Sequence, residues 1–315
     1  MQVRRASLPD ASVIVVSCDS ADLLPRCLAA IARASQDLSI EVLVVDNASR
    51  DRSAEVARRL GARVIALDTN IGFAAANNRA LALARGRYVV LVNPDAFPDA
   101  GSLDALISRL DTSPQVGIAG GVLRYASGAH QPSAGQFPSL HGGLWVALGL
   151  HRAPVLARLG IGFMAHPALC RRPRRVDWVT GAFCAARRQV GPVPEASFMY
   201  GEDVEWAQEA ARRGLEVWLE PRATAVHLLG ESAGQRSPTL KQQQRVAFEL
   251  RWFSQRGRAV VQVARAVMVV HALVRLAAVT ALRLAGRATL LDSEPWRALA
   301  RAALREPGAT HVDSG

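Results

Sequence analysis

Lysine is nearly absent: Lys241 is the only one in 315 residues, so the formal net charge of +11 rests almost wholly on arginine. A bias of that kind reads as genomic base composition as much as selection for charge. Cysteine is scarce too. Cys18, Cys27, Cys170 and Cys184 are too scattered for a zinc pattern, and two of them lie in apolar runs where Cys packs as a small hydrophobe, which points to a reducing cytosol. Aromatic residues make up 5% of the chain and are not interleaved with the basic ones. With no helix-turn-helix or RNA-binding signature, that excludes nucleic acid as the partner for the positive charge. An anionic membrane surface or a diphosphate-bearing substrate fits it better. No apolar signal segment precedes the first strand, since Met1 runs through Arg4 and Arg5 into the polar stretch 7–10, so secretion is not expected.

What is present is an ordinary globular composition, half apolar, large enough for one α/β domain and an appendage. Short β-rich runs at 12–17, 40–45, 63–67 and 88–93 alternate with amphipathic stretches at 23–34, 53–60 and 74–84. This βαβαβαβ rhythm predicts a parallel sheet with helices on both faces and ligands at the carboxyl ends of its strands. The polar residues cluster at those ends: Asp19 after the first, Asp46 and Asn47 after the second, Asn70 a little beyond the third, Asn93 and Asp95 after the fourth.

The middle, about 120–175, is rich in Gly, Pro, Ser and His around a short apolar segment at 144–150, and is expected to form loops framing a pocket. Structure resumes at 176–187, then a helix over 203–213 with Gly214 as its C-cap, then a strand at 215–219 before Pro221. The expected division is a catalytic domain over 1–236, with a nucleotide-binding half at about 10–120 and an acceptor half at 121–236, followed by a basic helical extension over 237–315. From 258 to 291 that extension is almost all Ala, Val and Leu punctuated by arginines. On a helix, Arg258, Arg265, Arg283 and Arg287 share a narrow sector, with His271 and Arg275 to its flanks, as on a helix lying in a membrane interface. A spanning helix would hold His271 and Arg275 in mid-bilayer, at a few kcal/mol each, and the remaining alternative is a helix packed on the catalytic domain.

The residues suited to chemistry sit at the predicted strand ends. In Leu91-Val92-Asn93-Pro94-Asp95-Ala96 an apolar strand stops just before a carboxylate, rigidified by Pro94. Asp95 can ligate a hard cation such as Mg²⁺ or Mn²⁺, whose charge a diphosphate leaving group requires; alone, the motif is equally a turn. Asp46, after the strand 42–45, can accept from a pyrimidine N–H or a ribose hydroxyl, while Ser49 and Asp51 open the next helix as N-terminal acceptors. Glu202, Asp203 and Glu205 crowd a helix start approached by Phe198, Tyr200 and Gly201, where one carboxylate can serve as general base. His227, after the run 224–226, can complete a metal shell or simply be hydrogen-bonded.

Taken in order, Ser12-Val13-Ile14-Val15-Val16, Val44-Val45-Asp46-Asn47-Ala48-Ser49-Arg50-Asp51, Asn70-Ile71-Gly72-Phe73 with Asn77-Asn78, Asn93-Pro94-Asp95, Val179-Thr180-Gly181-Ala182, Tyr200-Gly201-Glu202-Asp203 and His227 resemble the inverting GT-A glycosyltransferase family 2. Within it the chain is most similar to the rhamnosyltransferase-like branch of bacterial cell-wall and polysaccharide biosynthesis. The resemblance implies a Rossmann-like nucleotide-diphospho-sugar transferase fold, a mostly parallel sheet flanked by helices, with the C-terminal extension associating with membrane. It implies that Ser17, Asp19 and Asp46 hold the nucleotide, with Asn47, Asn70, Gly72, Asn77, Asn93 and Asp95 on the donor side, and that Thr180 and Gly181 line the acceptor side. Asp95 and His227 would hold Mg²⁺ or Mn²⁺, and Asp203 would be the base, with Glu202 its rival. Two departures stand out: Asp19 where the family often has Asn, and Asn93 in place of an acid, which removes a charge from the metal motif. The implied activity is inverting transfer, from dTDP-L-rhamnose in first place, to a polyprenyl-diphosphate-linked or cell-envelope glycan at the inner face of the cytoplasmic membrane. The alternatives are a UDP-hexose donor with another acceptor, or a non-catalytic nucleotide-sugar-binding scaffold. A nucleotidyltransferase would need a Gly-rich basic loop after the first strand, and Ser17-Cys18-Asp19-Ser20 is not one.

Overall fold

The computed structural model describes residues 8–150, 167–228, 238–285 and 294–304. The chain divides into two compact units, Met1–Phe137 with Met164–Gln235 and Pro138–Phe163 with Arg236–Gly315.

The first unit opens with β1 (Ala11–Ser17), α1 (Leu24–Ala34), β2 (Ile40–Asn47), α2 (Ser53–Arg59), β3 (Arg63–Leu67), α3 (Phe73–Leu81) and β4 (Tyr88–Val92), in the alternation the sequence predicts. Every residue of β1 and of β4 is buried, as an apolar strand covered on both faces must be. α1 turns Leu24, Cys27, Ala30, Ile31 and Ala34 inward, a spacing of three and four residues that makes one apolar stripe. Each such aliphatic side chain withdrawn from water contributes about 1.5–3 kcal/mol.

There follow β5 (Ala96–Pro98), α4 (Ser102–Thr112), β6 (Val116–Arg124), β7 (His130–Gln131), β8 (Ala134–Gly135), α5 (Leu140–Ala147) of the second unit, β9 (Arg174–Val176), β10 (Trp178–Val179), β11 (Phe183–Arg187), α6 (Glu202–Arg212) and β12 (Glu216–His227). The main sheet runs β3-β2-β1-β4-β11-β6-β12-β5. Its first four strands are parallel, β11 is antiparallel to both neighbours, and β12 runs parallel to β6 and antiparallel to β5.

Two sequence expectations need revision. The strand expected to stop before Pro221 continues to His227, because the ladder with β6 slips its register between Glu220 and Thr224 and then resumes. Proline brings no N–H to that ladder, so the strand bulges there instead of ending. The stretch 120–175, expected to be loops, contains the end of β6, strands β7 to β9 and α5. The helix at 202–212 does end as expected, with Gly214 at φ +73°.

The second unit packs α7 (Pro238–Ser254), α8 (Arg258–Leu284) and α9 (Glu294–Leu304) around Val246, Met268, Ala272, Leu299 and Ala303. α5 starts where the Ser139 hydroxyl accepts from Gly142 N at 3.2 Å. Two adjacent glycines make it a weak helix by propensity. Close packing overrides this, since a Cβ on Gly143 would stand 3.3 Å from Val267 of α8. The expected boundary at 236/237, Arg287 and the end of the arginine-studded segment lie outside the described residues.

Candidate active site

The parallel register makes Ser17 and Asp46 direct neighbours, one at the end of β1 and the other near the end of β2. Both are buried, and both Ser17 Oγ and Asp46 Oδ1 lack a hydrogen-bond partner within the protein. Buried oxygens of this kind are costly unless something supplies a donor, so the pair is shaped for a ligand bearing N–H or O–H groups. Asp19 is different. Its φ is +51°, its carboxylate accepts from Arg50 N at 2.6 Å and its own N–H donates to Ser49 Oγ at 3.0 Å, so it ties the loop after β1 to the loop after β2. Ser49 therefore serves that loop and not the start of α2, whereas Asp51 does accept from Ser53 N at 2.9 Å, as well as from Ala21 N.

Asn47 and Asn70 clasp the turn before α3. Asn47 donates to Asn70 Oδ1 at 2.9 Å and accepts from Ile71 N at 3.0 Å, while Asn70 accepts from Gly72 N at 3.1 Å. Gly72 has φ +88°, and a Cβ there would lie 2.6 Å from the carbonyl oxygen of Phe198. The same carbonyl accepts from Phe73 N at 3.1 Å, which joins this turn to the segment leading into α6. Asn77 is buried and donates its amide to Phe73 O, one turn back in α3. Asn78 donates to Val193 O and Glu195 Oε1 and accepts from Val193 N. Neither the Gly72–Phe198 contact nor the Asn78 anchor carries a signal in the sequence, because their partners are remote along the chain.

Asp95 is fully buried just ahead of β5, and β5 pairs its Ala96 with His227 at the end of β12. That pairing brings His227 Nε2 to 3.2 Å from Asp95 Oδ1. Leu228 N donates to the Asp95 backbone carbonyl at 3.0 Å and holds the junction. His227 Nδ1 and Asn93 Oδ1 are buried without a hydrogen-bond partner in the protein. The donor set fits a hard divalent cation: one carboxylate and one imidazole, converged at the end of the sheet. Among the described residues no group of three or more His, Cys, Asp or Glu side chains converges in this way. Among the described residues the pair could supply two ligands to such a cation.

On the other side of β4, Asn93 N donates to Ala182 O at 2.9 Å, and Val92 pairs with Phe183. The loop after β4 and the loop before β11 are therefore stitched together at the same end of the sheet. From the latter, Gly181 N donates to the carboxylate of Asp203 in the first turn of α6. Asp203 also accepts from Val204 N at 2.8 Å. Loss of solvation pushes its pKa up to about 6, against the pull of the backbone N–H groups and with the Glu205 charge adding to the rise. Tyr200 at φ +72° and Gly201 at φ +94° turn the chain sharply into that helix, and Glu202 beside Asp203 is buried. Thr180, on the same loop as Gly181, donates its N–H to Ser133 O at 2.8 Å. A carboxylate held by backbone donors, with its pKa raised toward neutrality, is suited to accepting a proton from a hydroxyl.

The glycosyl transferase family 2 model matches residues 12–177. The N-acetylglucosaminyl-diphospho-decaprenol L-rhamnosyltransferase of Mycobacterium tuberculosis is 31% identical over 243 residues, covering 70% of this chain and 77% of that protein. Among solved structures, a mannosyltransferase from Pyrobaculum calidifontis in complex with GDP-Man and Mn²⁺ aligns with a TM-score of 0.57 at 21% identity, over 95% of this chain and 85% of that one. GalNAc-T7 with UDP, GalNAc and Mn²⁺ aligns with a TM-score of 0.54 at 13% identity, over 73% of this chain and 45% of that one. At these identities the structural likeness speaks for the fold, a GT-A arrangement.

Proposed function

Because the chain belongs to glycosyl transferase family 2, we propose that it transfers a sugar, with inversion, from a nucleoside-diphosphate donor to an acceptor hydroxyl. The observation that carries this reading is that the loop after β4, which leads to the Asp95–His227 pair, is bonded through Asn93 N and Ala182 O to the loop whose Gly181 N holds the Asp203 carboxylate. Ser17 and Asp46 take the nucleoside, where Asp46 Oδ1 accepts from a ring N–H or ribose hydroxyl and fills its hydrogen-bonding deficit. Asn47, Asn70 and Gly72 shape the donor side through the turn they hold. Asp95 and His227 would hold a divalent cation, Mg²⁺ or Mn²⁺, which when bound would supply the positive charge that a diphosphate leaving group requires.

Asp203 takes the proton of the acceptor hydroxyl as its oxygen bonds to the anomeric carbon. The bond from that carbon to the diphosphate oxygen breaks, and the nucleoside diphosphate leaves. Gly181 and Val204 hold the carboxylate in place through their N–H groups, and Thr180 lines the acceptor side. Likeness to the mycobacterial rhamnosyltransferase supports dTDP-L-rhamnose as donor and a polyprenyl-diphosphate-linked sugar at the cytoplasmic membrane face as acceptor.

The test is donor turnover by purified full-length protein across dTDP-, UDP- and GDP-sugars, with and without Mg²⁺ or Mn²⁺, scored by release of nucleoside diphosphate. Metal-dependent release, selective for dTDP-L-rhamnose and lost in Asp95→Ala and Asp203→Ala, is the expected result. Donor binding without release, even with membrane extract as acceptor source, would replace the transferase by a nucleotide-sugar-binding scaffold.

A further inference from the structure

The second unit leaves one side of α8 open along its whole length. Val263, Val270, Leu273, Val274 and Leu284 are all exposed, Leu273 by 58% and Leu284 by 85%. At 100° per residue these five positions, with Ala266 among them, fall within a sector of about 100°. The opposite side is the packed one: Ala264, Met268, Ala272 and Val279 are buried, and Met268 and Ala272 join the core shared with α7 and α9. An apolar stripe running through about six turns of helix is far larger than scattered surface hydrophobes.

Charge says what covers it. α8 has no Asp or Glu, and Arg258, Arg265 and Arg283 lie together along one border of the stripe. Between Arg236 and Gly315 there are thirteen Arg or Lys against five Asp or Glu, so this quarter of the chain holds most of the net +11. Two copies meeting face to face would bring these arginines together. A spanning helix would first have to give up its packed side: Arg265 donates to Ala303 O of α9 at 3.1 Å, and Arg275 lies over the Trp296 ring at 5.7 Å. We infer that this face of α8 docks in the plane of an anionic lipid bilayer, with the stripe in the acyl boundary and Arg258 and Arg283 at the headgroups. The inference is drawn from the second unit alone and holds whatever sugar, if any, the first unit transfers.

Flotation of the full-length protein with phosphatidylcholine vesicles, made with and without phosphatidylglycerol, tests it. The protein is expected to float with the phosphatidylglycerol vesicles, to float far less with phosphatidylcholine alone, and to be released by added salt. Leu273→Asp and Val274→Asp, at positions already in water, are expected to weaken that partitioning by about tenfold or more while helical content and soluble-donor turnover stay unchanged. The proposal is overturned if neither vesicle captures the protein, or if the Asp variants float as the parent does. It is also overturned if the parent dimerises without lipid and Leu273→Asp abolishes the dimer in place of vesicle binding.

Discussion

His227 Nε2 lies 3.2 Å from Asp95 Oδ1, a contact made by the antiparallel pairing of Ala96 with His227. In the proposed metal site this carboxylate and imidazole would hold a hard cation only weakly by themselves, and the donor's phosphate oxygens would add to its shell. Mn²⁺ is therefore expected to bind weakly to the protein alone and about 5–150-fold tighter with a nucleoside diphosphate present. By linkage the nucleotide gains the same factor from the metal. Calorimetric titrations in both orders check this, and His227→Ala should abolish the coupling while leaving metal-free nucleotide binding in place.

The pKa of Asp203, raised to about 6, predicts the acid limb of the pH profile. Only the ionised carboxylate accepts a proton, so kcat/KM for the acceptor should fall by about tenfold per pH unit below that value and level off above it. Asp203→Asn should lower kcat by about 10²–10⁴-fold at neutral pH, remove the limb and leave donor binding unchanged.

The same shift carries a stability consequence. Folding raises the pKa of Asp203, so between the ordinary carboxylate value and about 6 the folded state binds more protons than the unfolded. The stabilisation from protonated Asp203 is present below that window and is lost as pH rises through it. Asp203→Asn is thus expected to melt higher than the parent at pH 7.5, by about 2–4 °C for each kcal/mol of desolvation relieved, and the gap should close at pH 4. Thermal melts at the two pH values decide it.

Gly72 allows the turn before α3 to touch the segment that leads into α6. Its φ of +88° and the 2.6 Å approach of a Cβ to Phe198 O leave no room for a side chain. Gly72→Ala should cost about 1–3 kcal/mol and raise the acceptor KM, as the loop carrying Tyr200 and Gly201 is pushed away. Denaturant melts together with kinetics on an acceptor series measure both effects.

How much of this could be read beforehand varies with sequence distance. The strand at 63–67 was predicted residue for residue, and the other elements up to β4 to within a few residues, because a buried parallel strand is a continuous apolar run and its covering helix an apolar stripe. Asp46, Asn93 and Asp95 stand out in the sequence for the same reason, as polar residues where those runs stop. What tertiary contact sustains is not legible there: α5, carrying two glycines, and the joining of the strands at 215–219 and 224–226 into one β12 across Pro221 on the strength of β6. The sequence puts Asp19 near the donor and Ser49 at the start of the next helix, and only the folded chain shows them bonded to each other's loops.

By itself, then, the sequence determined the parallel α/β half and the polar residues that close its strands, since both follow from local periodicity. The tertiary structure alone decided that Asp95 meets His227, that Gly181 holds Asp203, and which side of α8 remains open. Each of those depends on a partner brought close by sheet order or helix packing, and no local pattern encodes which distant segment will supply it.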